Sequence, residues 1–138
     1  MGPLKMSKSL IALFAALLSM HILHAQMASP GHGETQAVAL HPTNPDIIYA
    51  GAAKGLCKSL NGGKDNWPTY GLSMLSPRSI VTSEANPDLL YVGTHKMGVY
   101  RSNDGAVTWE AISDGISYRE IRTLAIHPKD DQVVYTGT

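Results

Sequence analysis

The side chains in this sequence that could do chemistry are carboxylates, histidines and one cysteine. Two carboxyl groups on either side of a glycosidic bond can act as acid and as base or nucleophile. The acidic candidates are Asp46, Glu84, Asp88, Asp104, Glu110, Asp114, Glu120, Asp130 and Asp131. Most of them lie in turn segments rich in Asn, Pro and Gly, which favours a role in shaping the backbone.

The histidines and the cysteine have no metal-ligand spacing. The sequence contains no His-x-x-x-His motif, no pair of cysteines and no Asp-x-Asp calcium loop, so we predict neither a metal nor a cofactor. His41 and His127 occupy matching positions where Ser83 stands in a middle copy, which favours a loop-shaping role. Cys57 has no cysteine partner and no identifiable base, so we expect a small buried side chain.

The charge distribution argues against two classes of partner. Eleven basic and eleven acidic residues give a formal net charge of zero, and neither sign is gathered in a run. A nucleic-acid footprint or an anionic-membrane patch needs clustered positive charge. We therefore predict no nucleic-acid partner and no anionic-membrane patch.

The amino terminus has the layout of a secretory signal peptide. Lys5 and Lys8 precede an apolar run from Leu10 to Leu18, which is shorter than the roughly 20 residues of a spanning helix. We predict a signal peptide over residues 1–25 with cleavage after Ala25, and a secreted or periplasmic product with no membrane span.

Two hairpin segments lie one repeat length apart: the first box, Ser59–Trp67, and the second box, Ser102–Trp109. An Asp or Asn side chain accepts hydrogen bonds from nearby backbone amides, and the following Gly takes the positive φ of a tight turn. Thr and Trp then suit the next strand, so both Trp residues are expected to pack. The predicted structural residues are Ser59, Asn61, Gly62, Gly63, Trp67, Ser102, Asp104, Gly105, Thr108 and Trp109.

The pattern around the boxes recurs almost three times. Tyr49, Tyr91 and Tyr135 are spaced by 42 and 44 residues, which matches the roughly 40 to 45 residues of a four-stranded propeller blade. The sequence predicts an all-β propeller segment of antiparallel blades, about two and a half in number. After a leader loop at 26–36, the predicted blades cover 37–75, 76–118 and, in part, 119–138. Because propellers typically have four to eight blades, we expect a fragment.

The boxes resemble the Asp-box, or BNR repeat, with the pattern Ser-x-Asp-Gly-Gly-x-Thr-Trp. Ala106 departs at the second Gly, and the first box has Asn61 for Asp and one extra residue before its Trp. Proteins with this repeat include sialidases, two-propeller xyloglucan-cleaving glycoside hydrolases, sortilin-type receptors and photosystem II assembly factors. The segment from His41 to Gly51 is most similar to bacterial exported repeat proteins that resemble the sortilin-type receptors and the photosystem II assembly factors.

The resemblance implies specific catalytic residues, and this chain departs from them. Xyloglucan-cleaving members carry a catalytic Asp in a Thr-Asp-x-Gly-Gly context, where this sequence has Ala53 and His95. Sialidases use an arginine cluster and an Arg-Ile-Pro signature. The four arginines here, none of which precedes Ile-Pro, are Arg78, Arg101, Arg119 and Arg122.

We therefore predict a non-catalytic scaffold that binds protein or assists assembly, with no catalytic residue in this segment. Its candidate recognition loops contain Lys54, His95 and Lys96, because loops carry function on a rigid scaffold. The alternative is the amino-terminal part of a secreted glycoside hydrolase, sialidase-like or xyloglucanase-like, that acts on polysaccharide. In that case Trp67 and Trp109 would be possible sugar platforms.

Overall fold

In the computed structural model, residues 33–64 and 67–138 are described, and within those ranges the chain forms nine strands and no helix. The predicted signal peptide lies outside them. The first strand begins inside the predicted leader loop. The strands are β1 (Thr35–Leu40), β2 (Ile48–Ala52), β3 (Gly55–Ser59), β4 (Pro77–Thr82), β5 (Leu90–Thr94), β6 (Val99–Ser102), β7 (Glu110–Ala111), β8 (Thr123–His127) and β9 (Asp130–Gly137).

The strands form three antiparallel sheets in chain order. Sheet 1 is β1-β2-β3, sheet 2 is β4-β5-β6-β7 and sheet 3 is β8-β9. The repeat keeps its register, since Tyr91 lies opposite Val81 in sheet 2 and Tyr135 lies opposite Ala125 in sheet 3. The predicted all-β fold class is confirmed.

The outer segment of sheet 1 is less regular than the predicted fourth strand. It makes one bridge, between Cys57 and Thr69. The Tyr70 amide also donates to the Leu56 carbonyl at 2.7 Å. Pro68 has no amide hydrogen to add to the ladder, which explains why a continuous strand does not form.

The hydrophobic core lies between the sheets. We call the side of each sheet that looks toward the next sheet its forward face, and the opposite side its backward face. The core between sheets 1 and 2 contains Tyr49, Leu56, Leu72, Ile80, Leu90, Val92 and Ala106. The core between sheets 2 and 3 contains Leu89, Tyr91, Val99, Ile121 and Leu124. Sheet 2 is thus covered on both faces.

The glycine two residues after each repeat tyrosine allows neighbouring sheets to come close. A Cβ added at Gly51 would lie 2.6 Å from the Pro77 carbonyl oxygen. One added at Gly93 would lie 2.4 Å from Cγ2 of Ile121. Real Cβ atoms do not approach other atoms so closely, so the Tyr-x-Gly pattern reflects the packing of the following segment onto the sheet.

The strand directions give the stacked sheets two distinct ends. The box face carries the two boxes together with the β1–β2, β4–β5 and β8–β9 connections. The loop face carries the β2–β3 and β5–β6 connections and the crossings at 71–76 and 112–122. Sequence-distant loops therefore meet at each end.

Candidate functional site on the loop face

The candidate recognition residues flank one crossing on the loop face. The Met74 amide donates to the Lys54 carbonyl at 3.0 Å, and the His95 amide donates to the Ser76 carbonyl at 3.1 Å. Lys54 and Lys96 are exposed, and His95 is half-buried. The structure thus places the two predicted loops on either side of residues 71–76.

That crossing holds an unusual backbone. Leu72, Met74 and Ser76 have φ values of 51°, 64° and 47°, in the left-handed region that residues with a Cβ avoid at a cost of about 1–2 kcal/mol each. Such strain is concentrated at functional sites in many proteins. The Met74 side chain is 77% exposed, which adds an apolar contact surface to the loop face.

Beside the crossing, three nitrogen-bearing side chains converge on one carboxylate oxygen. Arg78 Nη1 lies 2.8 Å from Glu120 Oε1, Arg122 Nη2 lies 3.5 Å from it and His95 Nδ1 lies 3.7 Å from it. Arg78 Nε and His95 Nδ1 are buried atoms with no hydrogen-bond partner among the described residues. We call these four residues the Glu120 cluster; its two arginines outnumber its one carboxylate.

Sequence reasoning missed this cluster except for His95. Arg78 and Arg122 stand 44 residues apart, at matching positions around the start of inner strands β4 and β8. The recurrence of arginine at matching positions of two repeats was the sequence signal that could have indicated this cluster. Glu120 carried no signal of its own, because its position beside Arg78 depends on the stacking of sheets 2 and 3.

The second box forms a closed network on the opposite end. Ser102 Oγ donates to Asp104 Oδ1 at 2.8 Å and accepts from the Ala106 amide at 2.9 Å. The amide and the hydroxyl of Thr108 donate to Asp104 Oδ2 at 3.1 and 2.5 Å. These hydrogen bonds, chiefly from Thr108, lower the pKa of Asp104 to about 2. Asp104 is therefore a turn acceptor and is poorly suited to donate a proton.

The first box repeats this arrangement with an amide in place of the carboxylate. Ser59 Oγ donates to Asn61 Oδ1 and accepts from the Gly63 amide, both at 2.9 Å. The Lys64 amide donates to Asn61 Oδ1 at 3.2 Å. The turn needs an oxygen acceptor at this position, and either Asn or Asp supplies one.

Each box is also held to the connection before its sheet's second strand. The Gly62 amide donates to the Asp46 carbonyl and the Gly105 amide donates to the Asp88 carbonyl, both at 2.9 Å. Lys58 joins sheet 1 to the second box through a 2.8 Å hydrogen bond to the Gly105 carbonyl. The second box therefore strengthens the contact between sheets 1 and 2, whereas the Gly62 bond of the first box lies within sheet 1.

The two tryptophans pack inside the molecule. Trp67 is 3% exposed and contacts a cluster that contains Cys57. Burial also raises the pKa of the Cys57 thiol, which is consistent with a packing role. Trp109 packs against the core between sheets 1 and 2, and its Nε1 donates to the Tyr70 carbonyl at 2.9 Å. These positions favour packing over a sugar platform.

A cleft of about 660 Å³ lies on the box face between sheets 2 and 3. Its polar groups are mostly engaged within the chain. Asp131 accepts from Ser83 Oγ at 3.0 Å and from the Gln132 side-chain amide at 2.8 Å. The Asp131 carbonyl accepts from the Tyr91 hydroxyl at 2.9 Å. The bonds from Ser83 and Tyr91 to residue 131 therefore join sheet 2 to sheet 3 beside the cleft.

The repeated histidines shape their loops. His41 Nδ1 accepts from the Thr43 and Asn44 amides at 3.3 and 3.2 Å. His127 Nδ1 accepts from the amide two residues later at 3.2 Å. Ser83 Oγ accepts from the amide three residues later at 3.0 Å, so all three side chains provide the same acceptor.

The described ranges contain neither a metal-binding cluster nor a membrane-spanning helix. No group of three or more His, Cys, Asp or Glu side chains in residues 33–64 and 67–138 could hold a metal ion. Over the same residues, no helix is long and apolar enough to cross a membrane.

Comparisons with known proteins give structural likeness without a family assignment. No family model matches the chain, and no curated protein matches it. An ancestral GH74 enzyme is similar to it with a TM-score of 0.65 and 21% identity over 75% of this chain. A GH74 enzyme from Niastella koreensis is similar with a TM-score of 0.58 and 25% identity over 66% of this chain. The chain spans 16% of the length of each, so it has the fold of a small part of a GH74 β-propeller enzyme.

Proposed function

We propose that this chain is a segment of a carbohydrate-binding propeller that holds polysaccharide on its loop face without cleaving it. The observation that carries the proposal is the Glu120 cluster, in which two guanidinium groups and an imidazole surround one carboxylate between the loops of sheets 2 and 3. The similarity to GH74 enzymes, although confined to fold, favours polysaccharide over a protein ligand.

The groups on this face suit a sugar chain. Guanidinium and imidazole nitrogens donate to hydroxyl and acidic oxygens, and arginine binds carboxylates bidentately. Arg122 is 69% exposed, which leaves most of its donors accessible. The neighbouring Met74 supplies apolar area for the carbon face of a sugar ring. Because cations exceed carboxylates in the cluster, acidic polysaccharide should bind more tightly than neutral polysaccharide.

Two features support binding without hydrolysis. The positions at which the resemblance places a catalytic Asp hold Ala53 and His95. Glu120, the carboxylate at the centre of the cluster, has one oxygen engaged by Arg78 at 2.8 Å. A glycosidase needs one carboxyl group to donate a proton and a second to act as base or nucleophile.

Affinity electrophoresis in gels that contain polygalacturonate or xyloglucan tests the proposal. The double variant His95→Ala/Arg122→Ala should bind at least about tenfold more weakly, which corresponds to about 1.4 kcal/mol. Arg101→Ala is the matched control, since Arg101 also pairs with a carboxylate, Glu110, at 2.7 Å but lies near the box face. Its binding should not change.

The same preparations separate the competing functions. Release of reducing ends from either polymer would contradict the non-catalytic assignment and favour a hydrolase. Failure to bind either polymer would overturn the polysaccharide proposal and leave the protein-binding scaffold as the better interpretation. Equal loss in the Arg101 control would indicate a general effect of charge and contradict a site at Glu120.

We also propose that the protein is exported, from the signal-peptide pattern at residues 1–25. Amino-terminal sequencing of protein recovered outside the cytoplasm should begin at Gln26. Recovery of the uncleaved chain in the cytoplasm would contradict export.

A further inference from the structure

The two interfaces between neighbouring sheets are built in the same way on the loop face. Pro77 packs against Gly51 on the forward face of sheet 1, and Ile121 packs against Gly93 on the forward face of sheet 2. The residues immediately before Pro77 and Ile121 therefore hold equivalent places in successive repeats. The residues that follow β2 and β5 are equivalent for the same reason, since each comes after the strand that carries the packed glycine.

These equivalent positions hold neutral side chains at one interface and ionisable side chains at the other. Between sheets 1 and 2 they are Ser76 and Ala53, and Ser76 Oγ donates to the Ala53 carbonyl at 3.3 Å. Between sheets 2 and 3 they are Glu120 and His95, and His95 Nδ1 lies 3.7 Å from Glu120 Oε1. Because a neutral pair supports the same packing, the fold does not require an ionisable pair here.

The contact between His95 and Glu120 is incomplete. Its length of 3.7 Å exceeds the roughly 2.7–3.2 Å of an N–H···O hydrogen bond, and His95 Nδ1 is buried with no partner among the described residues. Arg78 Nη1 holds the same carboxylate oxygen at 2.8 Å. A protonated imidazole carries both a hydrogen and a charge on Nδ1, so protonation of His95 favours a short, charge-assisted hydrogen bond to Glu120.

The neighbouring charges couple this protonation to the binding of an anion. The charged residues on the loop of His95 and on the elements packed against it are Arg78, Lys96, Asp114, Arg119, Glu120 and Arg122. Of these, Glu120, Arg78 and Arg122 meet at one carboxylate oxygen. Glu120 favours a positive charge on His95 and the two arginines oppose it. Because a bound anion compensates the arginines, anion binding and protonation of His95 support each other.

We propose that protonation of His95 transfers Glu120 from Arg78 to His95 and thereby frees Arg78 to bind an acidic sugar. The inference rests on the proposed function and adds a pH dependence to it. Histidine is the side chain whose charge ordinarily changes between about pH 8 and about pH 5. The Arg78 side chain is 30% exposed and its Nε has no partner among the described residues, so the released guanidinium has donors for a carboxylate.

NMR of the arginine side chains in the ligand-free full chain tests the transfer of Glu120. Between about pH 8 and about pH 5, the Nε–H signal of Arg78 should shift in the unmodified chain. It should not shift in His95→Gln, whose side chain cannot gain a charge. His127→Gln is the matched control, since His127 shapes a loop on the box face, and the shift should persist. A signal that is constant with pH, or that shifts equally in His95→Gln, would overturn the transfer.

Affinity electrophoresis in polygalacturonate, compared with gels without polymer, tests the consequence for binding. The unmodified chain and His127→Gln should bind about tenfold more tightly at about pH 5 than at about pH 8. In His95→Gln and His95→Lys, the affinities at the two pH values should differ by less than about twofold, because the charge at this position is fixed. Binding to neutral xyloglucan should not depend on pH in any variant.

The outcomes separate this inference from the proposed function. Equal binding of polygalacturonate by the unmodified chain at both pH values would overturn the pH dependence while leaving polysaccharide binding intact. A pH effect that persists in His95→Gln would assign it to other groups and overturn the role of His95. Failure to bind either polymer at both pH values would overturn the proposed function and the effect on binding together, and the NMR titration would then decide the transfer of Glu120 by itself.

Discussion

Tyr49 and Tyr91 occupy the same position in successive sheets, yet removing the hydroxyl group should have opposite effects on stability. Tyr91 OH donates to the Asp131 carbonyl at 2.9 Å, and Tyr49 OH is buried with no hydrogen-bond partner among the described residues. Both rings are almost completely buried. Phenylalanine fills nearly the same volume, so each substitution tests the hydroxyl alone.

The expected magnitudes follow from these environments. A hydrogen bond of the Tyr91 kind contributes about 0.5–1.5 kcal/mol net, so Tyr91→Phe should lower the free energy of unfolding by about 1 kcal/mol. A buried hydroxyl without a partner costs about 1–3 kcal/mol, so Tyr49→Phe should raise it by about 1 kcal/mol or more. The two variants should differ by about 2 kcal/mol.

Urea unfolding followed by tryptophan fluorescence provides the assay. With an m-value of about 1–3 kcal/mol/M, the midpoints of the two variants should lie about 1 M apart, on opposite sides of the unmodified chain. A shift in the same direction for both variants would refute the assignment of hydrogen bonds at these positions. Unequal m-values would indicate a change in the unfolded or folded state and would require direct comparison of free energies.

Tyr49 should also make stability sensitive to alkaline pH. Burial, and then the negative charge of Asp88, raise the pKa of Tyr49 to about 12 from its ordinary value of 10.0. Because the folded state holds the hydroxyl neutral, its titration leaves stability unchanged below pH 10 and lowers the free energy of unfolding as the pH rises from 10 through about 12. In Tyr49→Phe, the decline in urea midpoint above pH 10 should be shallower than in the unmodified chain.

Three further predictions concern the core and the box face. Leu90→Ala should lower the free energy of unfolding by about 2–5 kcal/mol in urea titrations, because Leu90 is 0% exposed between sheets 1 and 2. As a control, Leu60→Ala at an exposed position should change the free energy of unfolding by less than about 0.5 kcal/mol. In Asp104→Asn, the thermal unfolding midpoint should fall less steeply as the pH is lowered. The Asp104 carboxylate, with its pKa lowered to about 2, stabilises the fold fully above pH 3.8 and loses that stabilisation as the pH falls through 2. An unchanged acid profile would contradict this. Lys58→Met should lower the free energy of unfolding by about 2 kcal/mol in the same urea assay. Lys58 Nζ donates to the Gly105 carbonyl at 2.8 Å and lies 5.5 and 5.2 Å from the ring centroids of Tyr49 and Tyr70. Lys54→Met, at an exposed position, is the control and should leave the free energy of unfolding unchanged.

The fold could be predicted because its signals are local and repeated. The tyrosines at 42- and 44-residue spacing, the Asn-Pro-Asp loops and the boxes each act within a few residues. The irregular outer segment of sheet 1 was less predictable, because Pro68 interrupts a strand whose other residues favour pairing. The prediction that a fourth segment pairs with sheet 1 was correct, and the prediction that this segment forms a regular strand was wrong.

The Glu120 cluster could not be predicted in the same way. Its members come from the start of β4, the β5–β6 loop and the crossing before β8, and only the stacking of two sheets brings them together.

The stacking of sheets in chain order also determines how opening motions should be distributed. Each sheet contacts only its neighbours, so its local stability is the sum of its own ladder and one or two interfaces, as in a one-dimensional array. Sheet 2 has four strands and an interface on each side, whereas sheet 3 has two strands and one interface. In the single chain, backbone amides of β5 should therefore exchange with deuterium more slowly than those of β9, which would open in subglobal fluctuations that leave the rest of the array folded.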